Sequence, residues 1–150
     1  MKTINYYLIL TALLCSFSCN KFPDLGSGYE LHYNSMKDIY ITKPLNSAEA
    51  PSVFIYGHIN DYAFDNKFIV IEEIPRDSVP GSSELSFDEY EKKFQSSTFR
   101  QYWIINKTID PVFIESEKNY SNVFGPFSKE NYSKIKKTLL LNSQLKLKSE

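Results

Sequence analysis

The chain has 150 residues, of which 42% are hydrophobic and 15% aromatic, and its 17 basic residues nearly balance 18 acidic ones. This composition is typical of one globular domain and excludes an intrinsically disordered chain. We expect no nucleic-acid partner, because proteins that bind nucleic acid present a strongly basic surface.

The N-terminal segment has the features of a secretion signal. Lys2 supplies a positive charge, residues 6–17 are mostly apolar, and the small Ser18 directly precedes Cys19. This apolar run of about a dozen residues is shorter than the roughly 20 that a membrane-spanning helix needs. We therefore predict a signal peptide over residues 1–18 and a diacylglycerol thioether on Cys19.

The segment SFSCN carries the attachment site. It resembles the lipobox of bacteroidete-type bacterial lipoproteins, although Ser16 stands where leucine is usual. The resemblance implies a cell-envelope protein anchored to the inner or outer membrane through Cys19. Cys15 is a poorer attachment site because the bulky Leu14 precedes it, and an ordinary cleaved signal with an unmodified Cys19 remains the alternative. Cleavage leaves one cysteine, so no intrachain disulfide is expected.

The rest of the chain is predicted to form a tether over residues 19–27, one globular domain over 28–141 and a frayed tail over 142–150. The first strand candidate alternates apolar and polar residues, and the apolar run 68–71 indicates a central strand covered on both faces. A turn at Asp65, Asn66 and Lys67 joins two of the strands, and Asp and Asn tolerate the left-handed backbone that such turns require. The predicted strands are 28–34, 38–43, 53–56, 58–64, 68–74, 102–105, 112–115 and 122–124.

A first helix is indicated after Ser86, which with Glu89 has the form of a capping box. Phe87, Tyr90 and Phe94 then lie close on one helix face and are expected to pack inward. Between strand 68–74 and this helix, residues 75–85 are rich in Pro, Ser and Gly and indicate a mobile surface loop.

A C-terminal helix is predicted from Ser128, with Phe127 and Tyr132 placed as a hydrophobic staple. The segments between the predicted strands are too short for parallel crossovers with long helices. We therefore predict an α+β fold, in which an antiparallel sheet of about five to seven strands is covered by a short middle helix and a C-terminal helix.

Three segments carry a family resemblance: DNKFIVIEEIP, YWIINK and VFGPFSKENYSKIKKTL. Their order resembles a group of small bacterial lipoproteins of unknown function, with a hairpin, a Trp-Ile-Ile strand and a Gly-Pro turn into a helix. The likeness covers residues 28–140. It implies an exported, anchored single domain, and it implies no activity, cofactor or catalytic residue.

The candidate chemistry is sparse. The only histidines, His32 and His58, have no nucleophile motif near them. The spacing of His58, Asp61 and Asp65 does not fit a calcium loop. Glu72 and Glu73 are strand neighbours that point to opposite faces, so they cannot act as a pair. We therefore predict no catalytic residue, no metal and no cofactor.

Aromatic residues offer the better prediction of a binding face. Tyr and Trp join a large apolar body to a polar tip, which suits both protein interfaces and sugar stacking. We predict a face formed by Tyr29, Tyr33, Tyr102 and Trp103, although β-sheets also favour aromatic residues in their cores. Asp77-Ser78-Val79 resembles a bacteroidete-type O-glycosylation sequon, which makes Ser78 a candidate modification site.

Two functions follow as hypotheses. The first is a non-enzymatic lipoprotein that binds another envelope protein or a surface ligand, with an inhibitor or immunity protein as a variant. The alternative is a small envelope hydrolase acting on glycan or peptidoglycan. It would use His58 with Asp61 or a loop carboxylate, and it requires these side chains to converge in a concave pocket.

Overall fold

The computed structural model describes residues 23–35, 38–45, 52–139 and 144–148. The predicted signal peptide 1–18, Cys19 and the next three residues of the predicted tether lie outside the described residues. The described strands are β1 (Asp24–Gly26), β2 (Tyr29–Ser35), β3 (Asp38–Lys43), β4 (Ser52–Phe64), β5 (Phe68–Ile74), β6 (Gln101–Asn106), β7 (Phe113–Ile114), β8 (Asn119–Tyr120) and β9 (Val123–Phe127). The helices are α1 (Phe87–Gln95) and α2 (Lys129–Leu139).

Seven of the described strands form one antiparallel sheet in the order β1-β2-β3-β4-β5-β6-β9. β7 and β8 form a separate small hairpin. This architecture confirms the predicted α+β class. β5 is flanked by β4 and β6, and its residues from Ile69 to Ile74 are all buried, which confirms the predicted central strand. None of the described helices is long and apolar enough to cross a bilayer.

β4 belongs to both halves of the sheet. Its residues from Ser52 to His58 pair with β3, and those from His58 to Phe64 pair with β5. Bulges interrupt both pairings, and bulges are where strands bend and change direction between packed sheets. The long strand therefore joins two half-sheets that can turn toward each other, one formed by β1, β2, β3 and β4 and the other by β4, β5, β6 and β9.

Contacts between distant strands show that the half-sheets face each other. The Asn122 side chain, which directly precedes β9, donates a hydrogen bond to the Tyr29 hydroxyl of β2 at 2.7 Å. In a flat sheet, β2 and β9 would lie five strands and about 24 Å apart. The Lys107 ammonium group, which follows β6, likewise donates to the Leu25 carbonyl of β1 at 2.6 Å and to the Asp65 carbonyl.

The space between the half-sheets is the main core. It contains Tyr29, Ile41, Ile55, Ile71 and Ile105, each at most 2% exposed, among other residues. The opposite face of β5 and β6 forms two outer clusters, one under α2 and one under α1. The cluster under α2 comprises Val70, Tyr102, Ile104, Tyr132, Leu145 and Leu147, and the cluster under α1 comprises Ile74, Val79 and Phe94.

The hairpin between β4 and β5 turns at the predicted residues, but by a different local geometry. The Asp65 carboxylate accepts hydrogen bonds from the backbone N–H groups of Lys67 and Phe68, both at 2.7 Å. Neither Asp65 nor Asn66 has the left-handed backbone that the sequence suggested. The side-chain acceptor closes the turn in its place, which is the Asx-turn role of aspartate.

The described fold extends beyond both boundaries of the predicted domain. Asp24–Gly26, assigned to the tether, forms the edge strand β1 and buries Leu25 completely. In the predicted frayed tail, Leu145 and Leu147 are buried against α2 and the sheet, and the backbone N–H of Lys148 donates to the Asp61 carboxylate. Short apolar segments at the chain ends complete faces that the central elements leave open.

The helices begin where the sequence places them. Ser86 and Glu89 form the reciprocal capping box at the start of α1. Phe94 is 1% exposed, whereas Phe87 is 68% exposed, so the prediction that Phe87 packs inward is wrong. Phe87 is the first residue of the helix, and only later turns of α1 reach the sheet. Loop 75–85 contains two short 3-10 turns, Arg76–Ser78 and Ser82–Glu84.

Candidate functional site

The predicted aromatic face does not assemble. Tyr29 is fully buried between the half-sheets, and Tyr102 is buried on the opposite face of the sheet beneath α2. Tyr33 is 48% exposed, and Trp103 is partly buried against the main core. Tyr102 and Trp103 are strand neighbours and must point to opposite faces. The four residues therefore share no surface.

A cavity of about 390 Å³ lies where the two half-sheets meet the β7–β8 hairpin. β4 contributes one wall, β5 and β6 contribute a second, and the hairpin and the second half of β9 contribute the rest. Its lining residues are Phe54, Ile55, Tyr56, Glu73, Trp103, Glu117, Lys118, Asn119, Gly125 and Pro126.

Glu73 is the buried polar group of this cavity, with 4% of its surface exposed. Its carboxylate accepts a hydrogen bond from the Trp103 indole N–H. On the β4 side, a Cβ atom at Gly57 would overlap the Glu73 carboxyl group, so only glycine leaves room for it there. β4 thus lacks a side chain at the position where the carboxylate packs against it.

Gly125 shapes the other side of Trp103. A Cβ atom there would lie 2.8 Å from the Tyr102 carbonyl oxygen and 2.9 Å from the indole ring. The backbone φ of Gly125 is +131°, a conformation that other residues rarely adopt. The absence of a side chain at Gly57 therefore leaves room for Glu73, and its absence at Gly125 leaves room for Trp103.

The electrostatics of Glu73 are unusual for a carboxylic acid. Burial raises its pKa from the usual 4.5 to about 7, the Trp103 hydrogen bond opposes this rise, and the negative charge of Asp77 adds to it. Near neutral pH the Glu73 carboxyl group is therefore protonated in part of the molecules and ionised in the rest. Groups with this property cluster at functional sites.

Comparison with known proteins places the chain in a family. Residues 26–150 match the family described as "Protein of unknown function (DUF3997)". The chain belongs to this DUF3997 family. No curated protein and no solved structure matches it. The match begins at the last residue of β1 and extends through the C-terminal tail, so it includes the tail that the sequence analysis left outside the domain.

The neighbouring glutamate of the DUF3997 domain, Glu72, shows a contrasting environment on the other face of β5. Its carboxylate accepts from the Asn60 amide at 2.6 Å and from the Tyr102 hydroxyl at 3.1 Å, and it lies 3.4 Å from the Arg100 guanidinium. By contrast, no ion pair to Glu73 is found among the described residues. Glu72 is therefore compensated by polar partners within the fold.

The residues of the hydrolase hypothesis do not converge on the Glu73 cavity. His58 packs edge-on against the Phe94 ring of α1 at 5.7 Å, whereas Asp61 binds the C-terminal tail. Neither lines the cavity. Asp65 closes the β4–β5 turn. Across the described part of the DUF3997 domain, no three His, Cys, Asp or Glu residues are grouped so that they could hold a metal ion.

Ser78 lies in the first 3-10 turn of loop 75–85 and is partly buried. Its hydroxyl is 3.4 Å from that of Ser97, which follows α1. The loop is thus attached to the helix at this point, whereas the O-glycosylation prediction assumed a mobile loop. Glycosylation of Ser78 stays a prediction.

Sequence reasoning missed Glu73 as a site residue, although some signals were present. Two acids follow the apolar run of β5, and a charge that continues a buried strand needs a partner or a function. Gly57 and Gly125 were visible as glycines beside strands, where they often mark a close approach. The pairing of β4, β5, β6 and β9 brings these two glycines together with Glu73. No local sequence pattern specifies that pairing.

Proposed function

We propose that this DUF3997 protein is a lipid-anchored envelope protein whose domain binds a small ligand, without catalysis, in the cavity of Glu73 and Trp103. One observation carries the proposal: a buried, proton-exchanging carboxyl group lines a cavity between aromatic walls. The volume of about 390 Å³ lies in the range of small-molecule sites, roughly 300–1,000 Å³.

The arrangement of the cavity supports binding. Ligand sites combine apolar and aromatic walls with a few fixed polar groups. Trp103, Phe54 and Ile55 supply the walls, and Glu73 supplies the polar group. A purely structural position would be filled more favourably by an apolar side chain, because burying an uncompensated carboxylate is costly.

The anchor rests on the N-terminal sequence alone. Lys2, the apolar run and Ser18 before Cys19 support acylation, and the domain begins only a few residues later, at Asp24. Mass spectrometry of the N-terminal peptide from membranes should show acylated Cys19. An unmodified Cys19 would contradict the anchor but would leave the binding proposal intact.

Trp103 provides a direct test of binding, because it is the single tryptophan of the chain. The ¹⁵N-labelled protein, purified in detergent, would be titrated with a panel of monosaccharides, glycan and peptidoglycan fragments, small carboxylates and organic amines. We expect at least one class to shift the indole N–H resonance saturably. Glu84→Gln, which removes a charge from the exposed turn 82–84, is the control and should bind equally well.

If no member of the panel shifts the indole resonance, the binding proposal is wrong. The spectra of the ligands test the alternative function at the same time. A non-enzymatic domain returns each ligand unchanged after prolonged incubation, whereas a hydrolase converts a glycan or peptidoglycan fragment into products.

A further inference from the structure

The charges around the cavity indicate which ligands it can hold. Glu73 and Glu117 are acidic lining residues, and Lys118 is the cation among the lining residues. Lys118 does not neutralise Glu73, because its side chain is 76% exposed and its ammonium group pairs with Glu115 at 2.8 Å. The interior of the cavity is thus acidic and aromatic, with its positive charge at the rim.

We propose that the cavity binds a small organic cation, a primary or quaternary ammonium group, with its charge against Glu73 and its carbon atoms against Trp103 and Phe54. This inference rests on the proposed function and names the ligand class. It goes beyond the family assignment, which carries no ligand.

The two glutamates of β5 provide the physical argument. On one face, the Arg100 guanidinium lies 3.4 Å from the Glu72 carboxylate and compensates a group that is 2% exposed. On the other face, Glu73 is as deeply buried and has an indole N–H as its hydrogen-bond donor. A bound ammonium group would do for Glu73 what Arg100 does for Glu72.

The aromatic walls favour the same ligand. Cations are attracted to the faces of Trp, Tyr and Phe, and desolvated quaternary ammonium groups are held by aromatic side chains combined with an acid. Trp103 lies beside the carboxylate, and Phe54 belongs to the opposite wall. An anionic ligand would meet Glu73 and Glu117, so like-charge repulsion disfavours it.

Binding of a cation must be coupled to the proton on Glu73. Burial and the charge of Asp77, in the turn after β5, favour the protonated carboxyl group. Tyr56 of β4 and Glu117 and Lys118 of the β7–β8 hairpin are the other titratable residues of the lining. A bound cation favours the carboxylate, so it displaces the proton and its affinity rises with pH.

Choline and its neutral isostere 3,3-dimethyl-1-butanol form a matched pair of probes. The charge of choline does not titrate, so any dependence on pH belongs to the protein. With a Glu73 pKa of about 7, the ionised fraction rises about tenfold between pH 6 and pH 8, and the choline affinity should rise by about the same factor. Titration calorimetry at pH 6, in buffers of different ionisation enthalpy, should show the release of nearly one proton.

The variants decide the outcome. Glu73→Gln keeps an acceptor for the Trp103 indole but removes the charge, and it should lose choline binding at least tenfold at pH 8. Glu84→Gln should bind as the native chain does. The indole N–H resonance of Trp103 reports in each case whether the cavity is still folded.

The inference is overturned if the neutral isostere binds as tightly as choline, or if Glu73→Gln keeps its choline affinity. It is also overturned if choline and butylammonium leave the indole resonance unchanged while a neutral or anionic fragment shifts it, and the proposed function then stands. If no fragment of any class shifts the resonance, both proposals fail.

Discussion

At the scale of single residues, Glu73 and Glu72 show how neighbouring residues of one strand can have opposite electrostatic environments. Alternation along β5 sends one carboxylate to the cavity and the other to a network with Arg100 and Asn60. The pKa of Glu73 is raised in the folded chain, so the folded state holds its proton at a pH where the unfolded state has lost it. Glu73 therefore destabilises the fold at high pH, not at low pH.

The first prediction concerns the stability of Glu73→Gln. The native chain should lose stability as pH rises from about 4.5 to about 7, where folded Glu73 ionises. The variant lacks this loss, so at pH 8 it should be more stable than the native chain by up to about 3 kcal/mol. At pH 4.5 the two should be nearly equal. Urea denaturation at both pH values measures the difference.

Glu84→Gln is again the matched control, because its side chain is exposed and its loss should leave the stability within about 0.5 kcal/mol at both pH values. Equal stabilities of Glu73→Gln and the native chain at pH 8 would show that the Glu73 carboxylate is well compensated in the fold. That result would remove the physical basis for a cationic ligand.

At this scale, the sequence predicted some features of the site and not others. The period of two correctly separates Glu72 from Glu73. The same alternation separates Tyr102 from Trp103 in the structure, although the sequence analysis had placed these two residues on one face. Which of the two faces is a core and which is a cavity depends on what lies opposite. The partner of Glu73 is Trp103, 30 residues away, and no local rule brings these two together.

At the scale of elements, the C-terminal tail is more important than its position suggests. Leu145 and Leu147 alternate with Lys146 and Lys148, and both leucines are buried beside Tyr132 of α2. The alternation was present in the sequence, but a short polar segment at a chain end is usually frayed. The open apolar surface beside α2, which the tail covers, exists only in the folded domain.

The second prediction tests the tail with a pair of neighbouring substitutions. Leu147→Ala should cost about 2 kcal/mol of stability, because a buried leucine loses its packing at the end of a chain that can partly relax. Lys146→Ala, at an exposed position, should change the stability by less than about 0.5 kcal/mol. Equal effects in chemical denaturation would show that the tail does not pack in solution.

At the scale of the whole molecule, the bend at β4 turns the two half-sheets toward each other and so determines where the main core and the cavity lie. The sequence predicted the α+β class and the antiparallel sheet, since strand periodicity and short connections carry that information. It did not predict that β4 pairs with β3 along one part and with β5 along the other. This depends on bulge positions and on contacts such as Asn122 to Tyr29, which span 93 residues.

The third prediction concerns the closure of the two half-sheets. Lys107→Met keeps the length of the side chain but removes the hydrogen bonds to the Leu25 and Asp65 carbonyls. Carbonyl groups left without a donor should cost about 1–3 kcal/mol. The backbone N–H of Leu31, which donates to the Pro23 carbonyl beside β1, should then exchange with solvent about tenfold faster or more.

Lys67→Met serves as the control, because Lys67 is an exposed residue of the β4–β5 turn. The amide of Val70, in the central strand, should be less affected than that of Leu31 in the Lys107 variant. Uniform acceleration at both amides would mean that Lys107 supports global stability and not the local closure of β1.

If Cys19 carries the proposed lipid, Lys107 would set the orientation of the domain on the membrane. Its contacts place β1 beside the turn that begins β5, whereas Glu73 lies near the other end of β5, about 17 Å further along the strand. From Cys19 to Pro23 the polypeptide can extend only about 14 Å. A lipid on Cys19 would thus keep the end of the domain that carries the β4–β5 turn close to the bilayer. The cavity would then lie at the opposite end of the domain and face the solution above the membrane surface.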